Sequence, residues 1–193
     1  MNALVLLAEG VEPLEAVTIV DVLRRADVDV TTVSLTDAVT VGAAHKITLT
    51  ADAVWAEINL DAFDAIVLPG GGKGTENMMA DGRVIRTVQM FATSGRWVAA
   101  VCAAPMVLAA AGVLRGHRAT CFPTCAELLG ESFDDVPVIV DGNIITSQGP
   151  GTSMLFALVL VQHFMGDSVA LGVADRLLTT FECFEPPHED DLY

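Results

Sequence analysis

The chain has 193 residues, 52% of them hydrophobic, with 10 lysines and arginines against 25 aspartates and glutamates for a formal net charge of −15. That length and apolar content suit a single α/β domain over residues 1–193 with a continuous core. The charge argues against a surface that neutralises nucleic-acid phosphates or an anionic membrane, leaving small neutral or cationic partners open.

In chain order, Ala3 to Ala8 reads as a buried strand, Glu12 to Ala26 as an amphipathic helix and Val28 to Leu35 as a second strand. The first apolar run lacks a basic flank and a cleavage site, so no signal peptide is expected and the cytoplasm is the default compartment. A short β excursion is expected around Val39 to Leu49. Phe63 to Leu68 gives another buried strand, stopped by the glycine run from Pro69, with a helix following within Gly82 to Thr93.

Trp97 to Leu114 carries no charge and at first meets the length of a membrane span. Pro105 interrupts it, and a strand ending at Cys102 followed by a buried helix explains it without lipid. A short strand is expected at Arg118 to Cys121, then strands at Val136 to Val140 and Ile144 to Ser147 as a hairpin around Asp141-Gly142-Asn143. Gly151 to Met165 and Val169 to Leu178 close as helices. Beyond them, from about residue 182, prolines and carboxylates predict a solvated acidic tail. Strands alternating with helices imply a mostly parallel sheet covered on both faces, with ligands at the carboxyl ends of the strands.

Cys102 sits on that rim, where a strand turns into a helix. There the positive end of a helix dipole lowers a thiol's pKa, although the glycine-flanked signature of a nucleophile elbow is absent. Three loops share the rim. In the first, Glu12 and Glu15 are three residues apart and share a helix face, so either can point into the crevice. Glu12 suits the first helical turn before Pro13, whereas Glu15, among apolar neighbours, is expected to be buried with a raised pKa, able to move protons for the thiol. In the second, Gly70, Gly71 and Gly72 with Lys73 match neither the phosphate loop nor the dinucleotide spacing. They do offer backbone N–H groups unobstructed by a Cβ, suited either to a plain turn or to holding an oxyanion. The third, Ser147 to Ser153, includes Gly149 and Pro150 and has Thr152 or Ser153 as a helix cap.

Four cysteines, at 102, 121, 125 and 183, are expected to be thiols. Cys121 and Cys125 form C-x3-C, which is neither the redox C-x-x-C nor a convincing half of a zinc site. The histidines at 45, 117, 163 and 188 fit no metal spacing, so neither a metal nor a cofactor is expected.

In this order, AEGVEPLEAV, IVLPGGGKG, VAAVCAAP, ATCFP and TSQGPGTS resemble the ThiJ/PfpI superfamily in its Parkinson-disease-protein branch, close to the bacterial YajL chaperones and deglycases. The match runs from about residue 2 to 180. The resemblance implies a flavodoxin-like three-layer sandwich, a homodimer, and a cysteine on a strained nucleophile elbow that oxidises readily to sulfinic acid. It implies Cys102 as nucleophile, Glu15 as the protonated acid bonded to it, and Gly71 with Ala103 as oxyanion donors. Gly70, Gly72, Phe122, Gly149, Pro150 and Arg25 are then placed around the substrate pocket.

Two departures stand out. Phe122 takes the place of a histidine in animal members, which removes a Cys-His dyad, and His45 falls where an arginine is frequent. The implied function is a cofactor-independent glyoxalase or protein deglycase acting on methylglyoxal or its early adducts with thiols and amines. The alternative is a redox-regulated chaperone or oxidative-stress sensor with incidental turnover.

Overall fold

The computed structural model describes residues 1–184; the acidic stretch expected as a tail lies, beyond Phe184, outside the described residues. In chain order the elements are β1 (Asn2–Leu7), α1 (Pro13–Arg25), β2 (Asp29–Ser34), β3 (Thr40–Gly42), β4 (Thr48–Thr50), β5 (Ala53–Val54), β6 (Ala65–Leu68), α2 (Gly72–Ala80), α3 (Gly82–Thr93), β7 (Trp97–Val101), α4 (Pro105–Ala110), α5 (Ala126–Leu129), β8 (Val138–Asp141), β9 (Ile144–Ser147), α6 (Ser153–Met165) and α7 (Asp167–Arg176).

Seven strands form one sheet in the order β5-β2-β1-β6-β7-β9-β8, parallel throughout except for β8, which returns antiparallel to β9. Without the short edge strands β5 and β8, the order is first, third and later strands to one side of β1 and the second strand to the other. That is the doubly wound arrangement expected of a flavodoxin-like sandwich. β3 and β4 make a separate two-stranded hairpin.

Strand residues alternate between two cores, as the twofold period of a strand requires. Ala3, Val5 and Leu7 of β1 join Ile19, Val22 and Leu23 of α1 and the apolar α6 on one face. Leu4 and Leu6 join Val84, Val88 and Phe91 of α3 and Val107 and Leu108 of α4 on the other. α6 is apolar all round because it packs on α1 and α7 as well as the sheet.

The expected segments are recovered with five differences. The edge strand β5 and the short helix α5 were not foreseen. Neither was α2, whose three glycines at or near its start lower helix propensity; Gly74 is useful there because a Cβ would come within 3.0 Å of Val11. Arg118 to Cys121 does not form a strand, only a bridge between Ala119 and Phe133. Two of its amides are taken by side chains instead: Arg118 donates to Asp141 Oδ2 at 2.7 Å and Thr120 to Thr146 Oγ1 at 2.9 Å. Finally, α4 stops at Ala110, just before Gly112 at φ 74°. Trp97 to Leu114 thus resolves into β7 and α4, and among the described residues no helix is long and apolar enough to cross a membrane.

Candidate active site

β1 sits where the sheet reverses its winding, and the loops leaving β1 and its neighbour β6 open a crevice at their carboxyl ends. Glu12 caps α1, its Oε1 accepting from Leu14 N at 3.2 Å, and Pro13 supplies the first turn. One turn on, Glu15 is fully buried, and its Oε2 accepts from Gly70 N at 2.7 Å across the crevice. Gly70 has to be glycine: a Cβ there would lie 2.7 Å from Cys102 Cβ, 2.8 Å from Val101 O and 2.9 Å from Glu15 Oε2. Gly71 has to be glycine for a second reason, since its φ is 95° and a Cβ would collide with Gly10 O and with Glu12 N at 2.6 Å.

Cys102 follows β7 with φ 64°, the left-handed region that costs a non-glycine residue about 1–2 kcal/mol. Both its backbone groups are tied down. Its N–H donates to Ser147 O at 2.9 Å and its C=O accepts from Phe122 N at 2.7 Å. This strained turn between β7 and α4 leaves the half-buried sulfur facing the Glu15 carboxyl, with the Gly71 and Ala103 N–H groups directed at it.

The electrostatics differ from the sequence expectation in one respect. Burial raises the Glu15 carboxyl to about 7, against the opposing Gly70 and Cys102 hydrogen bonds, with the Glu12 charge adding to the rise. Cys102 does not fall. Burial first, and then an ionised Glu15, push the thiol up to about 12, although the Gly71 and Ala103 donors act the other way. α4 begins only at Pro105 and spans six residues, so its dipole is short and set back from the sulfur. At neutral pH the pair therefore rests as a thiol beside a carboxyl that is readily ionised. Glu15 Oε1 is buried with no conventional hydrogen-bond partner, free to take up a proton on the side away from Gly70.

The structure thus brings together Cys102, Glu15, Gly70, Gly71 and Ala103. Phe122, Gly149 and Pro150 form the rim, with the Phe122 ring 3.3 Å from where a Gly149 Cβ would stand. Thr152 caps its own turn back onto Gly149 N at 3.0 Å and makes no side-chain cap for α6. Gly72 is exposed at the start of α2 with open space around it. Arg25 is not brought to the crevice by its own chain. It lies ten residues beyond Glu15, about 15 Å along the α1 axis, and pairs with Asp21 at 2.7 Å.

The sequence also did not pair His45 with Glu12, whose side chains meet at 3.2 Å beside a cavity of about 530 Å³ that Leu14, Ile47 and Pro150 help to line. His117 lies by Asp141 at 3.3 Å and His163 against Trp97 at 5.4 Å between ring centroids. Glu15 is therefore the ionisable side chain that faces the Cys102 sulfur. Among those residues no cluster suited to a metal ion occurs.

The model of the DJ-1/PfpI family matches residues 1–163. The chain belongs to that family. It is 37% identical over 183 residues to the protein dj-1beta of Drosophila melanogaster, covering 93% of this chain and 98% of the fly protein. It is 40% identical over 177 residues to DJ-1 homolog B of Arabidopsis thaliana, covering 91% of this chain but 40% of the plant protein, so it spans less than half of that relative. A Pyrococcus abyssi protein named a deglycase is 33% identical, over 78% of this chain and 92% of its own length. The crystal structure of Drosophila DJ-1beta superposes with a TM-score of 0.90 at 38% identity over 93% of this chain and 98% of that one. The structure of oxidized Toxoplasma gondii DJ-1 also reaches 0.90, at 30% identity over 93% and 99%.

Proposed function

We propose that this DJ-1-type protein is a cysteine-dependent glyoxalase and deglycase, acting without a cofactor on methylglyoxal or its early thiol and amine adducts. The observation that carries this reading is the buried Glu15 carboxyl, held by Gly70 N–H, facing the half-buried Cys102 sulfur at which two backbone donors are directed. The similarity to a protein named a deglycase supports the same substrate class.

With Glu15 near 7, the carboxylate accepts the Cys102 proton as sulfur bonds to the aldehyde carbon. The oxygen of that carbon becomes anionic and is held by the Gly71 and Ala103 N–H groups. Glu15 returns its proton to that oxygen, then removes the hydrogen on the same carbon and delivers it to the adjacent ketone carbon, while the proton on the first oxygen passes to the ketone oxygen. The hemithioacetal thereby becomes a thioester, and no external oxidant is consumed. Water hydrolyses the thioester to lactate and free thiol. With an adduct as substrate, the bond to the adducted sulfur or nitrogen breaks and the repaired thiol or amine leaves.

The test is lactate production from methylglyoxal by Cys102→Ala and Glu15→Gln. Near-complete loss in both is expected, and retention of full turnover by either overturns the mechanism.

A second reading rests on the same donors. Gly71 N–H, Ala103 N–H and a protonated Glu15 are also suited to the oxygens of a Cys102 sulfinate, and a relative of known structure is described as oxidized. Addition of two oxygens at Cys102 under mild peroxide, with negligible turnover of glyoxals, would favour an oxidation sensor over the enzyme. A homodimer belongs to both readings and is supported by the exposed apolar Leu14, Val17 and Ile47.

A further inference from the structure

A second cavity, of about 240 Å³, lies along α3 and takes no part in the chemistry above. Arg83, Arg86, Thr87 and Met90, spaced three and four residues apart and so on one side of the helix, form one wall, and Trp55 and Leu60 the other. Trp55, Leu60 and Met90 border the core of Leu4 and Leu6, whereas Cys102 borders the core on the opposite face of the sheet. Two arginines fasten the walls to each other. At the start of α3, Arg83 is held by Asp81 at 2.6 Å, donates to Leu35 O at 2.9 Å and lies over the Trp55 ring at 5.3 Å. Beyond its end, Arg96 donates to Leu60 O at 3.1 Å and Phe63 O at 3.3 Å while lying over the Phe91 ring at 3.9 Å. Arg86 sits on α3 between Arg83 and Phe91, and its exposed side chain makes no hydrogen bond, ion pair or ring contact among the described residues. Gly82 leaves room for its guanidinium over the first turn of the helix, since a Cβ there would lie 3.1 Å from Arg86 Nη1. The carboxylates of Asp81 and Asp37 both act on Arg83, so Arg86 is the uncompensated charge of the cavity in a chain with 25 acids against 10 lysines and arginines.

We propose that this cavity is a binding site for a small aromatic carboxylate, with the ring against Trp55, Leu60 and Met90 and the carboxylate on Arg86. The chemistry of the walls selects this class. Trp55, Leu60 and Met90 offer an apolar lining for the body of the ligand, and an indole favours an aromatic partner. An unpaired guanidinium presents a planar fork of donors that matches a carboxylate with two parallel hydrogen bonds. Thr87 is buried and its hydroxyl donates to Arg83 O at 2.9 Å, which leaves it only acceptor capacity, so the anion is held by Arg86. The volume lies below the range of about 300–1,000 Å³ of pockets that enclose drug-sized molecules, which suits a single ring. Because Arg83 and Arg96 already fix the two walls, little ordering is left for the ligand to impose.

The test titrates phenylacetate into the full chain labelled with ¹⁵N and follows the indole N–H signals by NMR. The chain has two tryptophans, and Trp97, which packs on His163 and Phe164, serves as the internal control. The Trp55 signal is expected to shift and saturate in the millimolar range while the Trp97 signal stays in place. Phenylacetamide, which has the same shape without the charge, and Arg86→Gln with phenylacetate should each weaken binding about tenfold or more. Arg86 is exposed, and an unchanged Trp97 signal in Arg86→Gln verifies that the variant is folded. Absence of a saturable Trp55 shift, equal affinity for the amide, undiminished affinity in Arg86→Gln, or shifts confined to the Gly71 and Ala103 amides would overturn the proposal. Each of these outcomes is independent of methylglyoxal turnover.

Discussion

Glu15→Gln isolates the energetic consequence of burying a carboxyl whose pKa the crevice raises to about 7. Gln retains the shape and an oxygen to accept from Gly70 N, so the 2.7 Å bridge has a replacement. In wild type the carboxyl rises from 4.5 to about 7 on folding. Below the lower value both states are protonated and nothing is lost. Between the two values the unfolded chain releases its proton while the folded chain keeps it, so stability falls as pH rises and levels off above the folded pKa. A shift of this size corresponds to about 3 kcal/mol, of which about 2 kcal/mol is lost between about pH 5.5 and about pH 8. Cys102 does not contribute in this window, because its thiol, raised from 9.0 to about 12, is protonated in the folded state throughout. Asp52 and Asp81, held low in the folded state, act with the opposite sign but equally in both proteins. Denaturant unfolding of wild type and variant at the two pH values is the assay. The stability difference should shift by about 2 kcal/mol in favour of Gln at the higher pH. Parallel pH dependences for the two proteins would show that Glu15 ionises normally in the fold and would remove the basis for its role.

If the Glu15 carboxylate is the base, kcat/KM for methylglyoxal should rise with pH through about 7. In Glu15→Gln that limb should vanish and the rate drop by about 10²–10⁴-fold; a wild-type profile falling through the same range would contradict the assignment. Glu12→Gln removes a charge that raises Glu15, so the rising limb should move to lower pH without disappearing, and an upward move would refute the coupling. Gly70→Ala inserts a methyl 2.7 Å from Cys102 Cβ; a stability loss of about 1–3 kcal/mol in thermal unfolding and a larger loss of turnover are expected, and wild-type behaviour in both would show that the crevice yields.

The layers of the fold were legible because the strands are buried on both faces and carry unbroken apolar runs, as Ala65 to Leu68 does, while α1 shows a one-sided stripe. What escaped the sequence depends on contacts distant along the chain. α2 is stabilised although it opens with glycines, because Gly74 lets it close on Val11. Arg118 to Cys121 has strand composition, yet side chains of β8 and β9 residues capture two of its amides, and no local pattern announces that.

The site shows the same division more sharply. Cys102 was legible from its place at a strand end, and Glu15 from its apolar neighbours, because topology carries both to one rim. The direction of the thiol's shift was not legible, since it is a balance of opposing effects at one sulfur. Two N–H donors and a short helix favour the thiolate; burial and a neighbouring carboxylate oppose it and prevail. A thiol that rests protonated beside a carboxyl near 7 needs that carboxyl to remove its proton during attack. Glu15 is thereby better suited to act first as base than as a standing donor to a preformed thiolate, and the slope of the pH profile distinguishes the two.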